Sequence, residues 1–136
     1  MTVITGSMFA GKTEELIRRV RRALYAGRRV QVFKHALDNR SGGTEIRSRD
    51  GALHEAVAVS TSGELLESVE PLTDLVAIEE AQFFDDGIVN AYNALADRGC
   101  EVIVSGLDMD FRCEPFGPMP TLLAEANANS DNSAIL

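Results

Sequence analysis

The sequence predicts an α/β protein in which a mostly parallel β-sheet is flanked by helices, and three observations lead there. Short β-prone runs alternate with segments whose apolar residues recur at helical spacing, the pattern of parallel strands joined by crossover helices. The runs from Leu72 to Ile78 and from Glu101 to Ser105 are nearly continuous in apolar residues, as strands covered on both faces require. Between the first strand and the first helix lies Gly6-Ser7-Met8-Phe9-Ala10-Gly11-Lys12-Thr13, which fits the phosphate-loop pattern of Gly, four free positions, Gly, Lys, then Ser or Thr.

Taken in order, Thr2 to Thr5 form a short β-prone strand, and Leu16, Ile17, Val20, Ala23 and Leu24 mark the apolar stripe of a helix from Lys12. Ala26-Gly27 stops that helix and Val30 to Phe33 is the second strand. Arg18, Arg19, Arg21 and Arg22 face away from the stripe. They read as a solvated face, with a subunit contact or a phosphate patch as the alternatives. Asp38 to Gly43 read as a loop, and Glu45 to Ser48 as a short strand. Ala56 to Val59 is a further strand, and Ser60 to Ser62 cap a helix through Leu65, Leu66 and Val69 that Pro71 ends. After the buried strand that finishes in Glu79-Glu80 comes a helix over Asp85 to Gly99, with Ile88, Tyr92, Leu95 and Ala96 on one face. The strand Glu101 to Ser105 opens into Gly106 to Arg112. Gly117-Pro118-Met119-Pro120 starts a last helix through Leu122, Leu123 and Ala126, and Asn127 to Ser133 read as a loop before an apolar end, Ala134 to Leu136.

The chain has 136 residues, a one-domain length, with 45% hydrophobic and 25% charged residues. Thirteen basic against 21 acidic residues give a net charge of −8. That balance disfavours a nucleic-acid partner, which needs a basic surface, although a local nest of backbone amides can still hold a small phosphate. Cys100 and Cys113 are too few for a disulfide framework or a four-sulfur zinc site and read as reduced thiols. No apolar run reaches a membrane span and no leader pattern precedes the first strand, so a cytoplasmic location without a membrane partner is expected.

The phosphate loop carries the chemistry. Its glycines allow a tight turn whose N–H groups, with the positive end of the helix, face phosphate oxygens. Lys12 reaches the β and γ phosphates and the Thr13 hydroxyl sits on Mg2+. Ligands of parallel α/β sheets bind beyond the carboxyl ends of the strands, where Glu79 and Glu80 stand adjacent. One carboxylate suits Mg2+ and the other a proton. Alternation along a strand predicts that the two point apart and divide the work.

Taken together, these motifs resemble the type II (cytosolic) thymidine kinases from the first strand to about Ala126. The carriers are the phosphate loop with Glu14 to Arg19, then Phe33-Lys34-His35 with Asp38 and Arg40, then Glu80-Ala81-Gln82-Phe83-Phe84. Further on come Gly106-Leu107-Asp108 with Asp110-Phe111-Arg112, and Glu114-Pro115-Phe116-Gly117-Pro118-Met119-Pro120. The resemblance implies a P-loop NTPase core of the RecA-like kind, a single nucleoside kinase domain over 1–136, and ATP and thymidine as substrates. It implies an ATP site at Gly6, Ser7, Met8, Phe9, Ala10, Gly11, Lys12 and Thr13, together with Glu79, Glu80, Ala81 and Gln82. Glu80 becomes the catalytic base, Thr13 and Glu79 the Mg2+ ligands, and Met8, Phe83, Leu107, Phe111 and Phe116 the surround of the thymine base. For each aromatic, ordinary core packing stands as the other reading. A homo-oligomer is expected, the family's tetramer being the pattern.

There are departures from the family. Glu79 stands where Asp is usual, and Arg49 where His usually precedes Asp50-Gly51. Family members continue with a zinc-binding Cys segment and a lasso-like loop over the thymine. This chain reads as truncated before that subdomain, with no zinc site and with activity impaired by the missing lid. Three functions are therefore expected outcomes: a thymidine kinase, a nucleotide-binding remnant without transfer, or an ATPase in which Glu80 activates water.

Overall fold

Successive apolar side chains of each central strand point to opposite faces, so the sheet must be covered on both. The computed structural model describes residues 2–6, 11–37, 45–47, 53–107, 117–128 and 133–135. Among these the strands are β1 (Thr2–Gly6), β2 (Val30–His35), β3 (Glu45–Arg47), β4 (Leu53–Glu55), β5 (Val57–Val59), β6 (Leu75–Glu79), β7 (Glu101–Leu107) and β8 (Ser133–Ile135). The helices are α1 (Lys12–Tyr25), α2 (Ser62–Ser68), α3 (Ile88–Asp97) and α4 (Met119–Ala128), with one 3-10 turn at Ala81–Phe83. Six strands form one sheet in the order β5-β2-β6-β7-β1-β8, and every pairing in it is parallel. β3 and β4 form a separate antiparallel pair. The α/β class with a parallel sheet between helices is the one the sequence predicts.

The strand order explains which helix covers which face. The connection from β1 to β2 runs one way across the sheet, whereas β5 to β6, β6 to β7 and β7 to β8 run the other way. Right-handed crossovers then put α1 on one face and α2, α3 and α4 on the opposite face. The buried clusters agree. Leu16, Ile17, Val20 and Ala23 of α1 pack on Ile4, Val32, Leu75, Ala77 and Ile103. Leu65, Ile88, Leu95, Met119 and Leu122 pack on Val3, Phe33, Val76, Ile78 and Val104. Burying each large aliphatic side chain in these layers contributes about 1.5–3 kcal/mol.

α1 ends as its sequence predicts. Gly27 takes φ 77, and the amides of Gly27 and Arg28 donate to the carbonyls of Leu24 and Ala23, closing the helix with a left-handed glycine. The arginine face is solvated at Arg18, Arg21 and Arg22. Arg18 and Arg19 both hold Glu15, at 2.5 and 2.8 Å.

Four local expectations change. β6 begins at Leu75 rather than Leu72, because Gln31 Oε1 accepts from the Glu70 amide and the Thr73 hydroxyl and pins 70–73 as a turn. Leu72 is accordingly exposed. α3 begins at Ile88 rather than Asp85, because Asp85 turns its carboxylate onto the Ser62 amide and hydroxyl at 2.9 and 2.7 Å. β7 continues through Gly106 to Leu107, in parallel register with Thr5 and Gly6. β8 pairs with Thr2–Ile4 of β1 where the sequence suggested a loop running into an apolar end. Asp38 to Gly43, Arg49 and Asp50 lie outside the described residues.

Glu15 provides a measurable consequence of the helix surface. Hydrogen bonds from Arg18, then the one from Arg19, hold its carboxyl at about 2 instead of 4.5. A depressed folded value means that the stabilisation is present above pH 4.5 and is lost as pH falls towards 2. Glu15→Gln should therefore cost up to about 1 kcal/mol at pH 7, the scale of a solvent-screened pair. Urea unfolding as a function of pH should show that difference shrinking to nothing at the acid end.

Candidate active site

Burial points to one end of the sheet without help from any motif. Among the described residues the buried polar and charged side chains are Thr2, Thr5, Lys12, Lys34, His35, Ser62, Glu79, Glu80, Gln82 and Ser105. All but Thr2 lie in the C-terminal part of a strand or in the few residues that follow it. Burying polar groups is costly unless they are satisfied, so such a cluster reflects a requirement other than core stability.

β1 delivers the phosphate-loop segment into α1. Gly6 is the last residue of β1, and Gly11 caps α1 with φ 86, a left-handed conformation that glycine adopts without steric cost. Lys12 and Thr13 are the first two helical residues, and Lys12 is buried. Ser7, Met8, Phe9 and Ala10 lie outside the described residues. From α1 the Thr13 hydroxyl donates to Glu79 Oε1 at 2.7 Å. Glu79 is the last residue of β6, and β7 separates β6 from β1. The contact therefore bridges two strand spacings, roughly 10 Å of sheet. A hydroxyl and a carboxylate of this kind are the hard oxygen donors that a divalent cation such as Mg2+ takes alongside phosphate and water.

Glu80 is buried beside it but does not continue the strand. It takes φ 56 and ψ 46, the one non-glycine residue with positive φ among the described residues, and caps the 3-10 turn. The pleat alone does not separate the two carboxylates, as alternation suggested. A left-handed residue, costing roughly 1–2 kcal/mol, turns the chain at that point. Gln82 Nε2 donates a hydrogen bond to Glu80 Oε2. Ala81 and Gln82, expected from the resemblance to line the ATP site, are both buried in this turn. Gly117, with φ 52, lies against it: a Cβ there would stand 2.3 Å from the Gln82 carbonyl oxygen.

Of the residues expected around a base, Phe83, the last residue of this turn, is 37% exposed. Leu107 ends β7. Met8, Phe111 and Phe116 lie outside the described residues. The structure adds two residues that sequence spacing did not assign a role. His35 is buried, its Nδ1 accepts from the Leu37 amide at 3.1 Å, and its Nε2 lies 3.0 Å from the Ser60 carbonyl. These partners require the neutral ring with its proton on Nε2. The ring meets Phe84 edge-on with centroids 4.8 Å apart and stands 6.1 Å from Phe83. Lys34 is fully buried and in register with Glu79, so the two strand ends bring opposite charges to one face. The signal for both was their place at the end of an apolar run, legible only once β2 is known to neighbour β6. Asp85 anchors the far side of the turn, and its bonds from the Ser62 hydroxyl and amide hold its carboxyl below the usual range. Cys100 is a free buried thiol, and Cys113 lies outside the described residues.

The Gly117 contact has a direct test. Gly117→Ala forces a left-handed alanine against the Gln82 carbonyl, and urea unfolding should show a loss of roughly 1–3 kcal/mol. A family model described as thymidine kinase matches residues 1–135 of this chain.

Proposed function

The chain belongs to the thymidine kinase family, and from that premise we propose that it transfers the γ-phosphate of ATP to the 5′-hydroxyl of thymidine, giving dTMP and ADP. The observation that carries the proposal is the meeting of Thr13 and Glu79 at 2.7 Å with buried Glu80 next in the chain. Phosphoryl transfer asks the protein mainly for positioning and charge stabilisation, and these residues supply both kinds of group.

The roles follow from chemistry. Backbone amides of the Gly6–Gly11 loop and the N-terminus of α1 receive the phosphates, where the helix dipole favours negative charge. The Lys12 ammonium neutralises charge on the β and γ phosphates. Thr13 and Glu79 would hold Mg2+, which when bound offsets the charge on the phosphate oxygens. Glu80 accepts the proton of the attacking 5′-hydroxyl as the new O–P bond forms and ADP leaves. Phe83 offers an exposed aromatic face to the thymine, consistent with the enrichment of such rings in nucleoside pockets.

The assay is ADP release by the purified chain with ATP and Mg2+, with and without thymidine. Thymidine-dependent ADP is expected, and ADP released equally without thymidine would point to an ATPase. Two variants separate binding from transfer. Glu80→Gln should leave ATP affinity within about twofold while lowering turnover by about 10²–10⁴-fold, the range of a lost general base. Lys12→Ala should weaken ATP binding by at least about tenfold, measured by calorimetry, because a charge-assisted phosphate contact worth about 1.5–3 kcal/mol is gone.

A further inference from the structure

We propose that Gln82 is the positioning residue for the proton-accepting carboxylate, an assignment that rests on the kinase reading above. Glu80 sits on a left-handed backbone where β6 gives way to the 3-10 turn. Its Oε2 accepts from Gln82 Nε2, two residues on. That hydrogen bond sets the direction of the carboxylate. In the transfer step the hydroxyl proton moves to the Glu80 carboxylate while the nucleoside oxygen bonds to phosphorus and the bridging P–O bond to ADP breaks. Bulk water then takes the proton. A carboxamide suits the holding role because it neither gains nor loses a proton in the working pH range, so it orients the base without competing for the proton.

The surroundings show that Gln82 is itself held. It is 3% exposed. A Cβ at Gly106 would lie 2.9 Å from Gln82 Oε1 and 2.8 Å from Met119 Sδ, so the carboxamide occupies space that only a glycine in β7 leaves open. Gly117, at the entry to α4, presses on the Gln82 carbonyl from another side. Gly106 therefore leaves room for the Gln82 side chain and Gly117 for its backbone, and that side chain grips the base. A glutamine that served only as filler would be matched by an apolar residue of equal length. A glutamine that positions a carboxylate would not.

The test compares wild type with Gln82→Met, which keeps length and removes the donor, and Gln82→Glu, which keeps shape and replaces the donor with an acceptor. Both variants should lower kcat by about 10–100-fold while the thymidine KM and ATP affinity stay within about threefold, a split that a packing defect would not give. A urea double-mutant cycle joining Gln82→Met with Glu80→Ala should show coupling of at least about tenfold in the unfolding constant, as a hydrogen bond to a charged group requires. If Gln82→Met keeps kcat within about twofold, or the cycle is additive within about twofold, the assignment is overturned. If Gln82→Met fails to fold, Gln82→Glu carries both measurements under the same criteria. A wild-type chain that makes no thymidine-dependent ADP overturns the kinase reading instead, and the cycle then decides by itself whether Gln82 holds Glu80.

Discussion

Thr13 and Glu79 meet although β7 stands between the strands that lead to them, and that meeting depends on the whole sheet being in register. β1 pairs with β7 from Thr2↔Ile103 to Gly6↔Leu107, and β7 pairs with β6 from Leu75↔Glu101 to Ile78↔Val104. A slip of one residue in either ladder would send the side chains of the displaced strand to the opposite face. Glu79 would then point towards α2 and α3 instead of α1. The apolar alternation that fills both helix layers is what forbids the slip, so core packing and site geometry are one constraint.

The same sheet end holds charge that the core would otherwise exclude. Lys34, Glu79 and Glu80 are all buried there, with Lys12 beside them, and isolated charges in such surroundings would be costly. Parallel register brings Lys34 level with Glu79, so opposite signs share a face instead of facing apolar neighbours. Thr5 Oγ1, one residue before Gly6, is buried with no hydrogen-bond partner among the described residues, a deficit of about 1–3 kcal/mol in the structure as it stands. The strained backbone of Glu80 lies at the same end. Polar burial, an orphaned hydroxyl and a left-handed glutamate gathered in one place fit a site shaped for chemistry more than for stability.

Much of this was legible in the chain. The phosphate loop, the α1 stripe with its Gly27 stop and the buried strand ending in Glu79-Glu80 are local signals, and local spacing carries them. The resemblance to thymidine kinases rested on those blocks in order. What was not legible is non-local. β8 is three residues long and exists by pairing with β1, and β4 has one apolar residue, Leu53. The polar residues at the end of β2 gain meaning only from β6 beside them. Nothing local announces that Glu80 turns left-handed, since that conformation is strained for a glutamate and is fixed by the turn, Gln82 and the glycines around it. The start of β6 moved for a related reason: Gln31, in a different strand, ties down the turn at Glu70 and Thr73.

The most direct measurement is a crystal structure of the chain with a non-hydrolysable ATP analogue, Mg2+ and thymidine. The account predicts triphosphate oxygens along the segment from Gly6 to Thr13, the cation against Thr13 and Glu79, and the nucleoside 5′-hydroxyl within hydrogen-bond reach of Glu80, with the Gln82 contact intact. Nucleotide density elsewhere on the protein, or a 5′-hydroxyl that meets some other base while Glu80 stays buried away from it, would contradict the account.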